Sequence, residues 1–290
     1  MTVTTSETTG GAPEDSAGEA APGARAAAMG VRRFGRVNWL GAWTLYRREV
    51  QRFLAVWTQT VGAPVATSVL FMVVFTLAFA ARRGEGDMGV PFEQFLAPGI
   101  LMMSVIQNAF ANTSSSILIA KVQGNIVDTL MPPLSAGELL AGYVLGGATR
   151  GLICAAVIGA IIFPAVGLGI SSWAWAAAFA LSASVMLSLI GLLAAMHAEK
   201  FDQLAVITNF VITPLSFLSG TFYSVSVLPE PFWTLSHINP FFFLIDGFRF
   251  GALGMSDTSP WAGIAVVTAL NLGLGWATWE LLGRGYRLKS

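Results

Sequence analysis

Long apolar stretches are the feature that most restricts the fold of this chain. The hydrocarbon core of a bilayer is about 30 Å thick, and a helix needs roughly 20 apolar residues to cross it. Six stretches have about this length or slightly more: residues 61–81, 95–120, 139–163, 173–196, 203–229 and 260–279. Only 11% of all residues are charged, against about 25% in an ordinary soluble domain. The sequence therefore predicts an all-α membrane protein with six transmembrane helices.

The third stretch contains one charged residue, Arg150, about eleven residues from its start. A helix rises about 1.5 Å per residue, so Arg150 is expected roughly 16 Å deep, near the midplane of the bilayer. An arginine at that depth costs about 2.5–3.5 kcal/mol on insertion scales, so its guanidinium should face protein or a wet cavity. We favour a structural tie to an adjacent helix. Contact with an anionic substrate is the alternative.

Two other stretches carry uncharged polar side chains. The second contains Gln107, Asn108 and Asn112, and the fifth contains Asn209 and Thr213. Hydrogen bonds between helices satisfy such groups inside a membrane, and this packing role is the interpretation we favour. The alternative is that these side chains line a translocation path for an amphiphilic substrate.

The N-terminal part of the chain differs in composition from the rest. Residues 1–37 are rich in Thr, Ser, Gly, Ala and Pro and contain no long apolar run, which predicts a disordered cytoplasmic tail. A secretory signal is not expected, since the tail lacks a basic start and an apolar stretch. Residues 38–57 mix Trp and Leu with Arg, which predicts an amphipathic helix in the membrane interface. The membrane domain is therefore expected to cover residues 38–290.

Basic residues are distributed unevenly between the two sides of the predicted membrane domain. With a cytoplasmic N-terminus, twelve Lys and Arg residues lie inside and three, Arg82, Arg83 and Arg249, lie outside. Cytoplasmic segments of membrane proteins carry such an excess. We therefore predict a multi-pass protein of the inner membrane with both termini in the cytoplasm.

A further apolar segment, residues 231–245, is too short to cross a bilayer and contains two prolines. It predicts an extracytoplasmic re-entrant segment between the fifth and sixth spans. Aromatic residues near it form a predicted extracytoplasmic rim: Phe222, Tyr223, Trp233, Phe242 and Phe243. A belt at headgroup depth explains these rings, and stacking against a sugar or a hydrophobic drug is the alternative. Asp246 and Arg249, three residues apart, are expected to form a helical pair that is weak if exposed.

Several classes of site are not indicated by the sequence. One cysteine, Cys154, and two distant histidines, His197 and His237, give no metal-ligand spacing, so we predict no metal site. We also find no catalytic residue set and no Gly-x-x-x-x-Gly-Lys-Ser/Thr loop to hold the phosphates of ATP. Sixteen basic and sixteen acidic residues cancel, which gives no indication of nucleic-acid binding.

Four blocks of the sequence resemble a known family. They are PGILMMSVIQNAFANTSSSI (98–117), GYVLGGATRGL (142–152), FDQLAVITNFVITPLSFLSGTFYSVSVLPEPFW (201–233) and HINPFFFLIDGFRFGALG (237–254). In this order they resemble the type-2 export permeases of ABC transporters. The resemblance covers roughly residues 40–288 and is strongest to the YadH-like branch, which is related to permeases for drug and polysaccharide export.

The resemblance implies a six-helix domain that sits in membrane lipid and pairs with a second copy and with two cytoplasmic ABC ATPase subunits. ATP and Mg would bind to the ATPase, and this chain would bind no cofactor. The loop 121–139 would contain the coupling helix that docks on the ATPase, with Asn125, Ile126, Asp128 and Leu130 as its residues. Docking would bury Ile126 and Leu130. Relatives commonly carry paired acidic residues here, whereas this loop offers only Asp128 before its prolines.

We therefore expect the permease subunit of an ABC exporter, itself not an enzyme, that moves an amphiphilic drug, lipid or lipid-linked glycan outward. A secondary transporter is one alternative. Proton or sodium coupling normally uses intramembrane carboxylates, and no Asp or Glu lies deep in a predicted span. A membrane-embedded lipid or glycosyl transferase is the other alternative, although the sparse acidic residues suggest no acid–base constellation.

Overall fold

A computed structural model describes residues 37–78 and 89–285 of the chain. The predicted tail, apart from Val37, lies outside these residues, and so do the last residues of the first predicted span. Besides a short 3-10 helix at Val225–Val227, the described residues form ten longer helices: α1 (Trp39–Ala55), α2 (Thr58–Ala78), α3 (Phe92–Val122), α4 (Ile126–Leu130), α5 (Ala136–Ala165), α6 (Trp173–His197), α7 (Phe201–Leu218), α8 (Phe232–Ile238), α9 (Pro240–Leu253) and α10 (Pro260–Gly283). Within the same residues there is no β-strand.

Six of these helices, α2, α3, α5, α6, α7 and α10, are long and apolar enough to cross a membrane. Each overlaps one of the six predicted stretches, so the predicted all-α fold with six transmembrane helices is confirmed. Two of the six are not regular throughout. α2 begins with a π-helical turn at Thr58–Gly62, and α7 contains one at Thr208–Ile212.

Local sequence signals explain where several helices begin and end. The Ser135 hydroxyl accepts from the backbone N–H of Glu138, whose carboxylate accepts from the backbone N–H of Ser135, and this capping box starts α5. Asn239 caps α9, and Pro240 occupies its first position, where a missing N–H is harmless. α9 ends at Gly254, whose φ of +79° suits glycine.

The fifth span ends earlier than the sequence predicts. The apolar stretch continues to residue 229, but α7 ends at Leu218. Gly220 has a φ of +72°, which turns the chain out of the helix. The Thr221 hydroxyl then donates to the carbonyl of Ser216 at 2.6 Å, so a buried turn follows the span directly. The predicted end at residue 229 is wrong, because hydropathy alone does not show that Gly220 adopts a left-handed backbone conformation that ends the helix.

Helices α3 and α6 form the centre of the bundle and are the two most buried spans. They pack closely because Gly191 of α6 lies against Thr113 and the backbone of Phe110 in α3. α5 and α9 pack around this pair. α2, α7 and α10 are largely exposed within one chain, so they form its outer face.

Two predicted segments have clear helical structure, whereas their position in a bilayer stays a prediction. Residues 38–57 contain α1, which exposes Trp39 and Trp43 and buries Leu45 and Phe53 against the bundle. Residues 231–245 contain α8 and the first part of α9, separated by an extended residue at Asn239. The first part of α9 is largely buried against α3 and α6.

Candidate functional site

The loop between α3 and α5 forms a short helix, α4, where the sequence predicts a coupling helix. Asn125 precedes it, and Asp128 is exposed on it. Ile126 is only 6% exposed, because it packs in a core cluster with Leu45 and Leu139. The interpretation of Ile126 as a docking side chain is therefore corrected, because this chain itself already buries it.

Other apolar side chains of this loop face outward instead. Val127 is 47% exposed and Met131 is 76% exposed. Asp128 is exposed between them in the sequence. Among the side chains that the structure describes, which do not include that of Leu130, the outward side of α4 and the next residue, Met131, therefore present two apolar groups and one carboxylate.

A buried carboxylate on α1 connects this loop to the transmembrane helices. Glu49 is fully buried, and its Oε1 accepts a hydrogen bond of 2.8 Å from the Ser116 hydroxyl of α3. Arg52 pairs with its Oε2 at 3.1 Å and Arg48 with its Oε1 at 3.4 Å. A Cβ on Gly146 of α5 would lie 2.6 Å from the Glu49 Cβ. Only glycine at this position of α5 lets α1 approach so closely.

The two arginines extend the connection in opposite directions. Arg48 Nη1 donates to the Thr129 hydroxyl of α4 at 3.0 Å, and its Nη2 lies 3.3 Å from the Tyr143 hydroxyl of α5. Arg52 Nη2 donates to the backbone oxygen of Asn112 at 2.8 Å and to its Oδ1 at 3.1 Å. Glu49 therefore lies at the centre of a polar network that joins α1, α3, α4 and α5. We call these residues the Glu49 network: Arg48, Glu49, Arg52, Asn112, Ser116 and Thr129.

A cleft opens beside the Glu49 network. It has a volume of about 490 Å³ and lies between α1 and the α3–α4 segment, with Arg48, Asn125 and Asp128 in its wall. Charges of both signs therefore line a concave surface directly beside α4. Glu49 is not among the residues predicted from the sequence, and its one local signal is its i, i+3 spacing from Arg52 on an otherwise aromatic and basic helix.

The predicted intramembrane arginine has a side-chain partner on a neighbouring helix. Arg150 is 9% exposed, and its Nη2 donates to Asn108 Oδ1 of α3 at 2.9 Å. The Asn108 amide in turn donates to the Ser104 carbonyl oxygen at 2.9 Å. This geometry matches the structural tie that the sequence analysis favours, and any contact with a substrate stays a prediction.

A second concave surface lies between α2 and α3 and contains two of the predicted path residues. Its volume is about 280 Å³, and Gln107 and Asn108 are in its wall. Asn112 belongs to the Glu49 network instead. On α7, Asn209 is exposed and Thr213 is half-buried, and within the described residues no hydrogen bond joins either side chain to the polar groups of α3 or α5.

The aromatic residues of the predicted rim belong to two separate groups in the structure. The Phe222 ring contacts Phe75 of α2 and Phe217 of α7, with centroid distances of 4.6 and 5.3 Å. The His237 ring links Trp233 to Phe242, with centroid distances of 3.9 and 4.8 Å. Phe243 contacts Phe242 directly, with a centroid distance of 5.4 Å. The Tyr223 hydroxyl donates to the carbonyl of Leu218 at 3.3 Å. Phe242 is buried, so these residues do not form one continuous surface.

Asp246 and Arg249 form a buried structural centre rather than an exposed pair. Asp246 accepts from the backbone N–H groups of Asp257 and Thr258 at 2.8 and 2.9 Å. Arg249 donates to the Gly220 carbonyl at 2.6 Å and lies over the Phe95 ring. The expected weak pair is corrected, because the two side chains fasten the loops that follow α7 and α9.

Comparison with known proteins places this architecture in a family. The ABC-2 type transporter family matches residues 41–253, which include α4, the Glu49 network and Arg150. The chain is 38% identical to the inner membrane transport permease YadH of Escherichia coli strain K12 over 253 residues, 87% of this chain and 98% of the relative. It is 26% identical to nodulation protein J of Sinorhizobium fredii over 209 residues, 70% of this chain and 76% of the relative.

The nodulation protein J of Rhizobium leguminosarum bv. viciae is also 26% identical, over 226 residues that are 76% of this chain and 84% of the relative. The family match at residues 41–253 includes five of the six apolar helices, α2, α3, α5, α6 and α7. The family implies association with an ABC ATPase subunit. The chain therefore belongs to the ABC-2 type transporter family, as a multi-pass transport permease of the inner membrane.

Proposed function

We propose that this chain is the membrane subunit of an ATP-driven exporter that moves an amphiphilic drug, lipid or lipid-linked glycan outward. Two copies of a cytoplasmic ABC ATPase bind ATP and Mg and supply the hydrolysis, and two copies of this chain form the permease. The observation that carries the proposal is the contact between α4 and the Glu49 network. A short loop helix with an exposed apolar face is tied by Arg48 to helices that reach into the membrane.

The contacts of α4 support a role in transmitting movement. Thr129 bonds to Arg48, Arg48 pairs with Glu49, and Glu49 accepts a hydrogen bond from Ser116 of α3. Ile126 also anchors α4 in the core of the same chain. A displacement of α4 by the ATPase would therefore move α1 and the adjoining end of α3, because these contacts form a continuous connection from α4 through α1 to α3.

The outer helices support the presence of a second copy. α2 and α7 are among the least buried spans of the chain. They expose large apolar side chains, among them Leu70 of α2 and Phe210 of α7. Lipid and a second copy of the chain would cover these faces, and the cargo would move between the two copies.

The docking of α4 can be tested by changing its exposed face. In a Val127→Asp, Met131→Asp double variant, we expect co-purification of the cognate ATPase to fall at least tenfold. Burying each apolar side chain contributes about 1.5–3 kcal/mol, and the double change replaces both. The permease alone should hydrolyse no ATP, whereas the wild-type complex should do so.

The control is Ile238→Asp on α8, which changes an equally exposed apolar residue away from α4. Its complex with the ATPase should form normally. Undiminished co-purification of the α4 double variant would contradict the docking assignment, and ATP turnover by the purified permease alone would contradict the division of labour.

A further inference from the structure

The cavity between α2 and α3 has an unusual wall for a surface within two apolar spans. Its volume is about 280 Å³, and six uncharged polar side chains contribute to it: Gln59, Thr67, Ser68, Ser104, Gln107 and Asn108. The remaining wall is apolar and includes Phe71, Ile100 and Met103. No ionisable side chain is part of this wall.

The side-chain amides of the wall lie toward one end of the cavity, which we call the polar end, and Phe71 and Ile100 lie toward the other, with the hydroxyl side chains between them. Consecutive transmembrane helices run in opposite directions, so the start of α2 lies beside the later part of α3. Gln59 is therefore on the same end as Gln107 and Asn108, while Phe71 is on the same end as Ile100. The π-helical turn at Thr58–Gly62 contains Gln59 and is held against α5, where the Cys154 thiol contacts the Thr60 carbonyl.

The side-chain amides at the polar end differ in whether they have hydrogen-bond partners. Asn108 accepts from Arg150 and donates to Ser104, so its orientation is fixed. Within the described residues, the side-chain amides of Gln59 and Gln107 make no hydrogen bond. An amide transferred from water to an apolar environment without partners costs about 2–7 kcal/mol. These two amides are therefore suited to donate to and accept from a guest that brings its own oxygen atoms.

The positive charge of Arg150 further restricts which headgroups this cavity can bind. The Arg150 guanidinium is hydrogen-bonded to Asn108 and so places positive charge next to the polar end without being part of its surface. A cationic head would meet this charge in a medium of low dielectric, where repulsion is strong. An anionic head would be attracted by the same charge, but it would lose its hydration and meet only neutral donors at the surface, because the guanidinium is bonded to Asn108 and is not part of the wall.

We propose that this cavity binds the uncharged, oxygen-rich head of an amphiphile, such as a polyol or sugar, with the apolar part of the molecule toward Phe71 and Ile100. A cavity of about 280 Å³ is at the small end of ligand pockets, so it holds a headgroup and not a whole drug-sized molecule. The inference rests on the proposed transport function and narrows its cargo class.

The test compares three amphiphiles that share an eight-carbon chain and differ in the head: octyl glucoside, octyltrimethylammonium and octyl sulfate. A single cysteine is introduced by Thr67→Cys in a Cys154→Ala background, and the full chain is placed in lipid nanodiscs. Thr67 lines the cavity and is exposed to it. We expect octyl glucoside to slow labelling by N-ethylmaleimide at least threefold at equal membrane-bound, submicellar concentrations, and the two charged amphiphiles to slow it less than 1.5-fold.

Leu272→Cys on α10 is the control for general effects on the bilayer, because Leu272 is exposed and distant from this wall. Gln107→Leu should abolish the protection by octyl glucoside, whereas Gln123→Leu at the end of the same helix should preserve it. Arg150→Gln retains a donor for Asn108 and removes the charge, so octyltrimethylammonium should then protect. Tryptophan fluorescence melting confirms that each variant is folded.

Equal protection by all three heads, stronger protection by octyl sulfate, equal protection of Leu272→Cys, or no protection at all would each overturn the inference. The labelling needs no ATPase. If octyl glucoside gives no protection but the ATPase still couples to the permease, only this inference is contradicted. If octyl glucoside protects but no ATPase associates, only the proposed function is contradicted.

Discussion

At the residue scale, the Glu49 network contains more positive than negative charges, and the negative charge is the more deeply buried. One fully buried carboxylate is paired with two arginines, and both arginine side chains remain partly exposed. Burying an ionised carboxylate is unfavourable unless charged and hydrogen-bonding partners compensate for its lost hydration. Ser116 and the two guanidinium groups supply this compensation. The pairing therefore determines where α1 can lie, since α1 supplies both the carboxylate and the arginines.

Removing this carboxylate should destabilise the permease strongly. Breaking a buried pair costs about 3–5 kcal/mol, and because Arg52 is partly solvated we expect about 2–3 kcal/mol for Glu49→Ala. The measurement is the temperature at which buried Cys154 becomes reactive toward a thiol-specific fluorophore. Glu280→Ala is the matched control, since its pair with Arg284 is exposed and such pairs contribute at most about 1 kcal/mol. Similar shifts for the two variants would show that the Glu49 network has no special role.

A functional or structural residue can be predicted from the sequence when its type is unusual for the stretch in which it occurs. Arg150 is conspicuous because it interrupts an apolar stretch, and the structure gives it a partner on an adjacent helix. Glu49 is not conspicuous, because its burial depends on the close approach of Gly146, almost a hundred residues later. The inward direction of Ile126 likewise depends on which face of a five-residue helix meets the bundle. Such directions follow from tertiary contacts that hydropathy does not contain.

At the element scale, all six apolar helices are predictable because the bilayer sets a minimum length for each span. Their ends are less predictable where the chain stays apolar beyond the helix. After Leu218 the chain remains uncharged, yet Gly220 and the Arg249 contact to its carbonyl hold it in a turn. Arg249 lies 29 residues later in the chain, so the end of the fifth span is fixed by a contact that no local window includes.

The packing of α3 against α6 gives a prediction at this scale. A Cβ at position 191 would lie 2.6 Å from the Phe110 carbonyl oxygen and closer still to the Thr113 hydroxyl. Gly191→Ala should therefore force the two central helices apart, and overpacking of this kind costs about 1–3 kcal/mol. The control is Gly273→Ala on α10, where nothing lies within 4 Å of the added Cβ.

Gly273→Ala should be neutral or stabilising, because alanine is favoured over glycine in a helix by about 1 kcal/mol. Both variants are compared with wild type by the temperature of Cys154 exposure in the same lipid. An unchanged temperature for Gly191→Ala would show that α3 and α6 can separate without loss, against the packing described above.

At the scale of the whole molecule, the structure changes the charge distribution on which the predicted orientation depends. Arg249, one of three basic residues assigned to the outside, is buried beside Asp246 and over Phe95. It is therefore not a loop charge, and the outside retains only Arg82 and Arg83, which lie outside the described residues. In the predicted orientation, twelve basic residues would then lie inside and two outside, which is a larger difference than the twelve and three counted from the sequence.

The predicted orientation can be tested with cysteines introduced into a Cys154→Ala variant. Ser259, before α10, and Lys200, before α7, are both exposed, and an odd number of spans separates them, so they lie on opposite sides of the membrane. Because basic residues are retained in the cytoplasm, Ser259→Cys should react with a membrane-impermeant maleimide added outside intact cells. Lys200→Cys should react only after the membrane is permeabilised. The opposite pattern would reverse the orientation and would place α4 and its exposed Met131 on the side away from ATP, which would also remove the basis for docking an ATPase there.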